Sequence, residues 1–108
     1  MSAMLFAFSV APTVSDSPDG SVSDAVAAAV RVVRASGLPN ETTAMFTTIE
    51  GEWDEVMPVI KAACDAVAAH SPRVSLVLKA DLRPGYEGQL SAKVERVEER
   101  LQGEGSPE

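Results

Sequence analysis

Cysteine, histidine and aromatic rings are scarce in this 108-residue chain, which has one Cys, one His, one Trp, one Tyr and three Phe. The lone cysteine, Cys64, excludes an internal disulfide, so nothing points to an oxidising compartment. One His and one Cys do not make a metal cluster of the usual ligand types. Basic residues are short as well, nine Lys and Arg against sixteen Asp and Glu, for a formal net charge of −7. Such a chain lacks the surface that neutralises phosphates, which excludes nucleic acid as a partner. Long apolar runs are missing too. The run near the start, residues 4–11, is interrupted by Ser9 and is far too short to cross a bilayer; no Lys or Arg precedes it, as a signal peptide would require. The expectation is a cytoplasmic protein with no membrane partner.

What is present is ordinary globular composition, 45% hydrophobic and 23% charged, enough for one domain with a modest core. Residues 4–11 read as a strand stopped by Pro12, apolar on both faces: Met4, Phe6, Phe8 and Val10 on one, Leu5, Ala7, Ser9 and Ala11 on the other. A polar loop follows. Ser21-Val-Ser-Asp24 has the form of a capping box, and Val22, Val26, Ala29, Val30 and Val33 keep helical spacing, which predicts a helix over 22–36 ended by Gly37. Residues 41–45 and 46–50 read as two short strands rich in threonine, joined either as a hairpin or as one bent strand, and Gly51 breaks the run.

A second helix starts near Trp53, with the stripe Val56, Val59, Ile60, Ala63 and Val67, acidic residues in its first turn and a small distortion expected at Pro58; Ser71-Pro72 ends it. Residues 73–82 alternate, with Val74, Leu76, Leu78 and Ala80 facing the core and Ser75, Val77, Lys79 and Asp81 facing away. Leu90, Val94, Val97 and Leu101 form a last helical stripe. Residues 1–102 make the domain, and 103–108 are expected to be a disordered tail.

The order βαββαβα predicts an α+β fold, a ferredoxin-like sandwich with a four-stranded antiparallel sheet, two helices on one face and an extra C-terminal helix. The second sheet face would be left bare although the first strand is apolar there. A second copy of the chain is expected to cover it.

Chemistry concentrates in residues 42–55, which hold four threonines, Phe46, Glu50 and the only Trp. Neither a nucleophile with an adjacent base nor a glycine-rich phosphate loop is found there, so holding a small polar molecule suits the stretch better than transforming one. Each candidate has a plain alternative. Ser9 is either a hydroxyl bonded to nearby backbone or a polar contact on the sheet face away from the helices. The threonines are good strand formers. Trp53 is a staple against the preceding turn or a stacking surface. Glu50 and Asp81 are solvated or paired carboxylates, or acceptors for a ligand's amino group. Cys64 reads as a small core residue, and His70 as an imidazole favoured at a helix C-terminus.

Several segments taken together resemble the small thiamine-binding proteins, the DUF77 group. They are Phe8-Ser-Val-Ala-Pro12, Thr43-Ala-Met45 followed by residues 47–55, Arg73-Val-Ser75 with Lys79-Ala-Asp81-Leu-Arg83, and residues 93–101. The resemblance spans residues 4–101. It implies a ferredoxin-like subunit that pairs sheet to sheet as a dimer and often assembles to a tetramer. It also implies binding of thiamine or its hydroxymethylpyrimidine part without a known reaction, thiamine being a ligand and not a cofactor. Carried over by position, the ligand-binding set is Ser9, Thr43, Thr47, Glu50 and Asp81, bordered by Trp53. Phe46 joins the set at a departure: the family commonly has Pro-Met-Gly where this chain has Ala44-Met45-Phe46, so the ring either stacks on the ligand or fills the pocket. No catalytic residue and no metal are implied. Two alternatives are a cofactor-free enzyme on a dimeric ferredoxin-like scaffold, using Glu50, Asp81 or His70, and a structural or regulatory oligomer whose pocket is closed.

Overall fold

A computed structural model of the chain describes residues 4–13, 22–83 and 89–105. Its elements are strand β1 (Met4–Pro12), helix α1 (Ser23–Ala35), β2 (Asn40–Thr42), β3 (Thr47–Gly51), α2 (Trp53–Ala68), β4 (Val74–Asp81) and α3 (Gln89–Gly105). The strands form one antiparallel sheet in the order β2-β3-β1-β4, the ferredoxin-like arrangement. The period-two pattern of β1 is realised as expected. Phe6, Phe8 and Val10 are buried and pack with Ala29 and Val33 of α1, Ile49 of β3, and Val56, Ile60 and Val67 of α2. Leu5, Ala7, Ser9 and Ala11 occupy the opposite face.

β1 runs one residue past the expected 4–11 and ends with Pro12 as its last residue, which the ladder tolerates. The reason is register. The Thr13 N–H donates to the Arg73 carbonyl at 3.0 Å, so odd-numbered residues of β1 turn their main-chain groups toward β4 and even-numbered ones toward β3. Since β3 has already ended opposite Phe8, the missing N–H of Pro12 points where no ladder bond is required.

Helix α1 differs from its expected form in two respects. Ser21 lies outside the described residues, and the N-cap is Val22 with no side-chain cap. Its buried face is Ala25, Ala29 and Val33, while Val26 is 38% exposed and lines a cavity with Val22 and Val30. These three valines on the flank of α1 therefore wall the cavity and do not all join the core. The helix ends as expected at Gly37, whose φ of +76° suits a residue without a Cβ.

The short strands form a hairpin: β2 pairs with β3 from Asn40↔Ile49 to Thr42↔Thr47, and residues 43–46 make the turn. β2 therefore stops at Thr42 and does not reach residue 45. Helix α2 continues through Pro58 to Ala68. Glu55 Oε1 accepts from the Glu52 N–H at 3.0 Å, one half of a capping box that holds the first turn.

At the edge of the sheet, β4 buries less than its alternation implies. Val74 and Leu78 pack on the core, whereas Leu76 between them is 43% exposed. Helix α3 continues through Gln102 to Gly105, beyond the expected domain end; residues 106–108 lie outside the described residues. The stripe on α3 is not buried within the chain. Val94, Val97 and Leu101 are 59%, 56% and 54% exposed.

Candidate functional site

The 43–46 turn is held by its own threonine. Thr43 Oγ1 donates to the Phe46 carbonyl at 3.0 Å and accepts from the Phe46 N–H at 3.3 Å, while the Thr43 N–H donates to the same carbonyl at 2.8 Å. The hydroxyl hydrogen of Thr43 is thus committed, leaving one lone pair for anything else. On the helix side, Thr42 Oγ1 and Thr47 Oγ1 stand 3.4 Å apart, and whichever donates leaves the other hydroxyl's hydrogen free.

Because β1 extends past the end of β3 and the chain turns away at 43–46, a notch opens at that corner of the sheet. It encloses a cavity of about 230 Å³. Val22, Val26 and Val30 of α1 form one wall, residues 42–47 another, and Phe8, Ser9, Val10 and Ala11 of β1 the floor. Phe46, half-buried, stands in the wall and leaves the cavity open beside it. Among the described residues the lining is mostly apolar, its polar side chains are hydroxyls, and none of them is charged.

A second cavity of about 310 Å³ lies on the sheet face away from α1 and α2. Leu5, Ala7 and Thr48 form its floor, Lys79 and Asp81 one side, Glu41 and Thr43 the other, and Leu90 and Val94 of α3 complete it. Part of the face expected to be bare is therefore occupied by the start of α3.

The structure divides the seven residues expected at the site. Ser9, Thr43, Phe46 and Thr47 meet at the notch. Asp81 lies at the second cavity, with Thr43 on its rim. Glu50 lines neither; it is 5% exposed, and its Oε1 accepts from the Leu90 N–H at 3.1 Å, at the start of α3. A buried carboxylate there meets an otherwise unpaired amide and the positive end of the helix dipole. Trp53 also lines neither cavity. Its ring lies edge-on to Phe6, centroids 5.8 Å apart and planes at 64°, on the helix side of the sheet, with 48% of the residue exposed.

Sequence reasoning missed the α1 valines as a wall of the notch, having assigned them to the core stripe. The length difference between β1 and β3 was the available signal, but it becomes visible only once the pairing is known. Among the described residues no group of three or more His, Cys, Asp or Glu is placed to hold a metal. Burial, and then the neighbouring Asp65 carboxylate, push the Cys64 thiol up from its ordinary value, the reverse of an activated cysteine. No helix among the described residues is long and apolar enough to cross a membrane.

Comparison with known proteins agrees with this architecture. The family model described as "Thiamine-binding protein" matches residues 6–98. A UPF0045 protein of Mycobacterium tuberculosis is 52% identical over 99 residues, covering 91% of this chain and 94% of that protein. Among solved structures, a hypothetical protein of Methanocaldococcus jannaschii superposes with a TM-score of 0.80 at 31% identity, covering 92% of this chain and 99% of the other. A DUF77 domain from Bacillus cereus gives 0.76 at 33% identity, covering 86% and 88%.

Proposed function

The chain belongs to the thiamine-binding protein family, and from that premise we propose that it binds thiamine or its hydroxymethylpyrimidine part in the notch, without transforming it. The observation that carries this reading is the convergence of Ser9, Thr43, Phe46 and Thr47 around one cavity with apolar walls. At about 230 Å³ the cavity is below the roughly 300–1,000 Å³ typical of sites for drug-sized ligands. It suits one ring, so the pyrimidine sits inside and the thiazolium projects at the mouth. The net charge of −7 favours a cation near the protein in a general way, with no carboxylate required in the lining. The binding-only reading draws support from the hydroxyls: those of Thr42, Thr43 and Thr47 are engaged with each other or with the turn, and none of the described lining residues is an imidazole or carboxylate that could act as their base.

Phe46 supplies the aromatic surface. Calorimetric titration with thiamine is expected to show saturable binding, weakened about three- to tenfold in Phe46→Ala, the range for one aromatic contact. The ligand should be recovered unchanged by NMR. Tighter binding in Phe46→Ala would mean that the ring obstructs the cavity, and the absence of heat at millimolar thiamine would sink the reading.

We further propose that the protein works in the cytoplasm as a carrier or sensor and assembles with itself. The outward stripe of α3, Val94, Val97 and Leu101, and Val77 (56% exposed) on the same side of the sheet support self-assembly, since a run of exposed apolar side chains along one helix face is what a second copy would cover. Light scattering is expected to give a dimer or tetramer for the native chain and a lower mass for the double variant Val97→Glu, Leu101→Glu. A monomeric native chain would remove the proposal.

A further inference from the structure

The notch has main-chain groups that no side-chain inventory reveals. In β3 the Glu50 N–H donates to the Pro39 carbonyl at 2.9 Å, and in the turn the Thr43 N–H donates to Phe46 at 2.8 Å. Even-numbered residues of β3 therefore turn toward β2, and odd-numbered ones toward β1. They meet the even-numbered residues of β1, from Met4↔Gly51 to Phe8↔Thr47, where the pairing stops. The next even-numbered residue of β1 is Val10. Its N–H and C=O point to the β3 side, into the corner that β3 has left, and Val10 lines the cavity there. Among the described residues no strand residue stands opposite it on that side. Its odd-numbered neighbours Ser9 and Ala11 are paired with Val77 and Ser75 of β4, so the strand is fixed in place although one edge is open.

We propose that the N–H and C=O of Val10 are the reading edge of this site and take the donor–acceptor edge of a 4-aminopyrimidine. The exocyclic amino group donates to the Val10 carbonyl, and the adjacent ring nitrogen accepts from the Val10 N–H. An extended residue presents its two groups side by side and in the same direction, the pattern that a hydrogen-bonded partner in an antiparallel ladder would complete. An aminopyrimidine has the matching pair on adjacent atoms. A further strand cannot follow this edge, because the 43–46 turn lies across its path and the cavity accommodates a single ring. The main-chain carbonyl thereby does what the sequence assigned to a carboxylate, and with neither Glu50 nor Asp81 in the lining, that carbonyl is the acceptor at hand. The inference rests on the pyrimidine-binding reading above and deepens it: recognition is of the hydrogen-bond pattern of the ring edge and is independent of ligand charge.

The test uses the full ¹⁵N-labelled chain titrated with 4-amino-5-hydroxymethyl-2-methylpyrimidine and, separately, with its 4-oxo analogue. In the analogue the ring nitrogen donates and the exocyclic atom accepts, so in the same pose both face like groups of Val10. The expected result is saturable binding of the amino compound, a downfield movement of the Val10 amide proton among the largest in the main chain, and binding of the oxo analogue weaker by roughly a hundredfold or more. Saturable binding with a stationary Val10 amide, or with both compounds bound equally, overturns this inference and leaves the pyrimidine-binding reading intact. If neither the amino compound nor thiamine binds, that reading falls and takes the inference with it.

Discussion

Phe6→Ala is expected to lower the free energy of unfolding by about 3–5 kcal/mol, the range for truncating a fully buried aromatic residue. Phe6 has no exposed surface, lies on the central strand β1, and is flanked by Ile49 of β3 and Ala80 of β4 in the ladder. Its ring also supports the edge-on contact with Trp53 at the first turn of α2. Removing it leaves a cavity bounded on one side by sheet backbone, which cannot collapse to fill the space. For a single small domain whose total stability is of order 5–15 kcal/mol, that is a large share. Urea unfolding followed by Trp53 fluorescence measures it twice. The midpoint should fall, and the folded-state emission should change because the indole loses its neighbour. A loss under about 1 kcal/mol would mean that the core is centred elsewhere.

The second large effect concerns Glu50. Glu50→Ala is expected to cost about 1.5–3 kcal/mol, the value of a hydrogen bond to a charged group, because it strips the first turn of α3 of the acceptor for the Leu90 amide. Glu50→Gln keeps an acceptor oxygen and loses the interaction with the helix dipole, so it should fall between Ala and the native residue. Hydrogen exchange reads the difference locally: amides of α3 should lose protection before those of β1 or α2. Affinity for the pyrimidine should stay within about twofold, because Glu50 is not part of the notch lining. The opposite pattern, lost affinity with α3 protection unchanged, would return Glu50 to the ligand-binding role that the sequence assigned to it.

These two residues show where sequence reasoning succeeded and where it ran out. Phe6 was placed on an apolar strand face by its alternation with Leu5 and Ala7, and the structure buries it there. Glu50 was recognised as a carboxylate on a strand, but its partner is forty residues further along the chain, and no local pattern joins the two. Trp53 is similar. Its position at a helix start was legible, yet its neighbour Phe6 is set by how α2 crosses the sheet.

By itself the sequence determined the element types, the α+β class, the antiparallel four-stranded plan and the polar stretch around residues 42–55. Each of these follows from periodicity, from Gly and Pro punctuation, or from composition, all of which act over a few neighbouring residues. Only the tertiary structure decided which of the seven candidate residues share a cavity, that the α1 valines wall it, and that α3 occupies part of the second sheet face. The physical reason is register. Alternation assigns a side chain to a face, but where one strand ends against another depends on pairing across the sheet. At that end, opposite Phe8, β1 leaves the main chain of Val10 open to the notch.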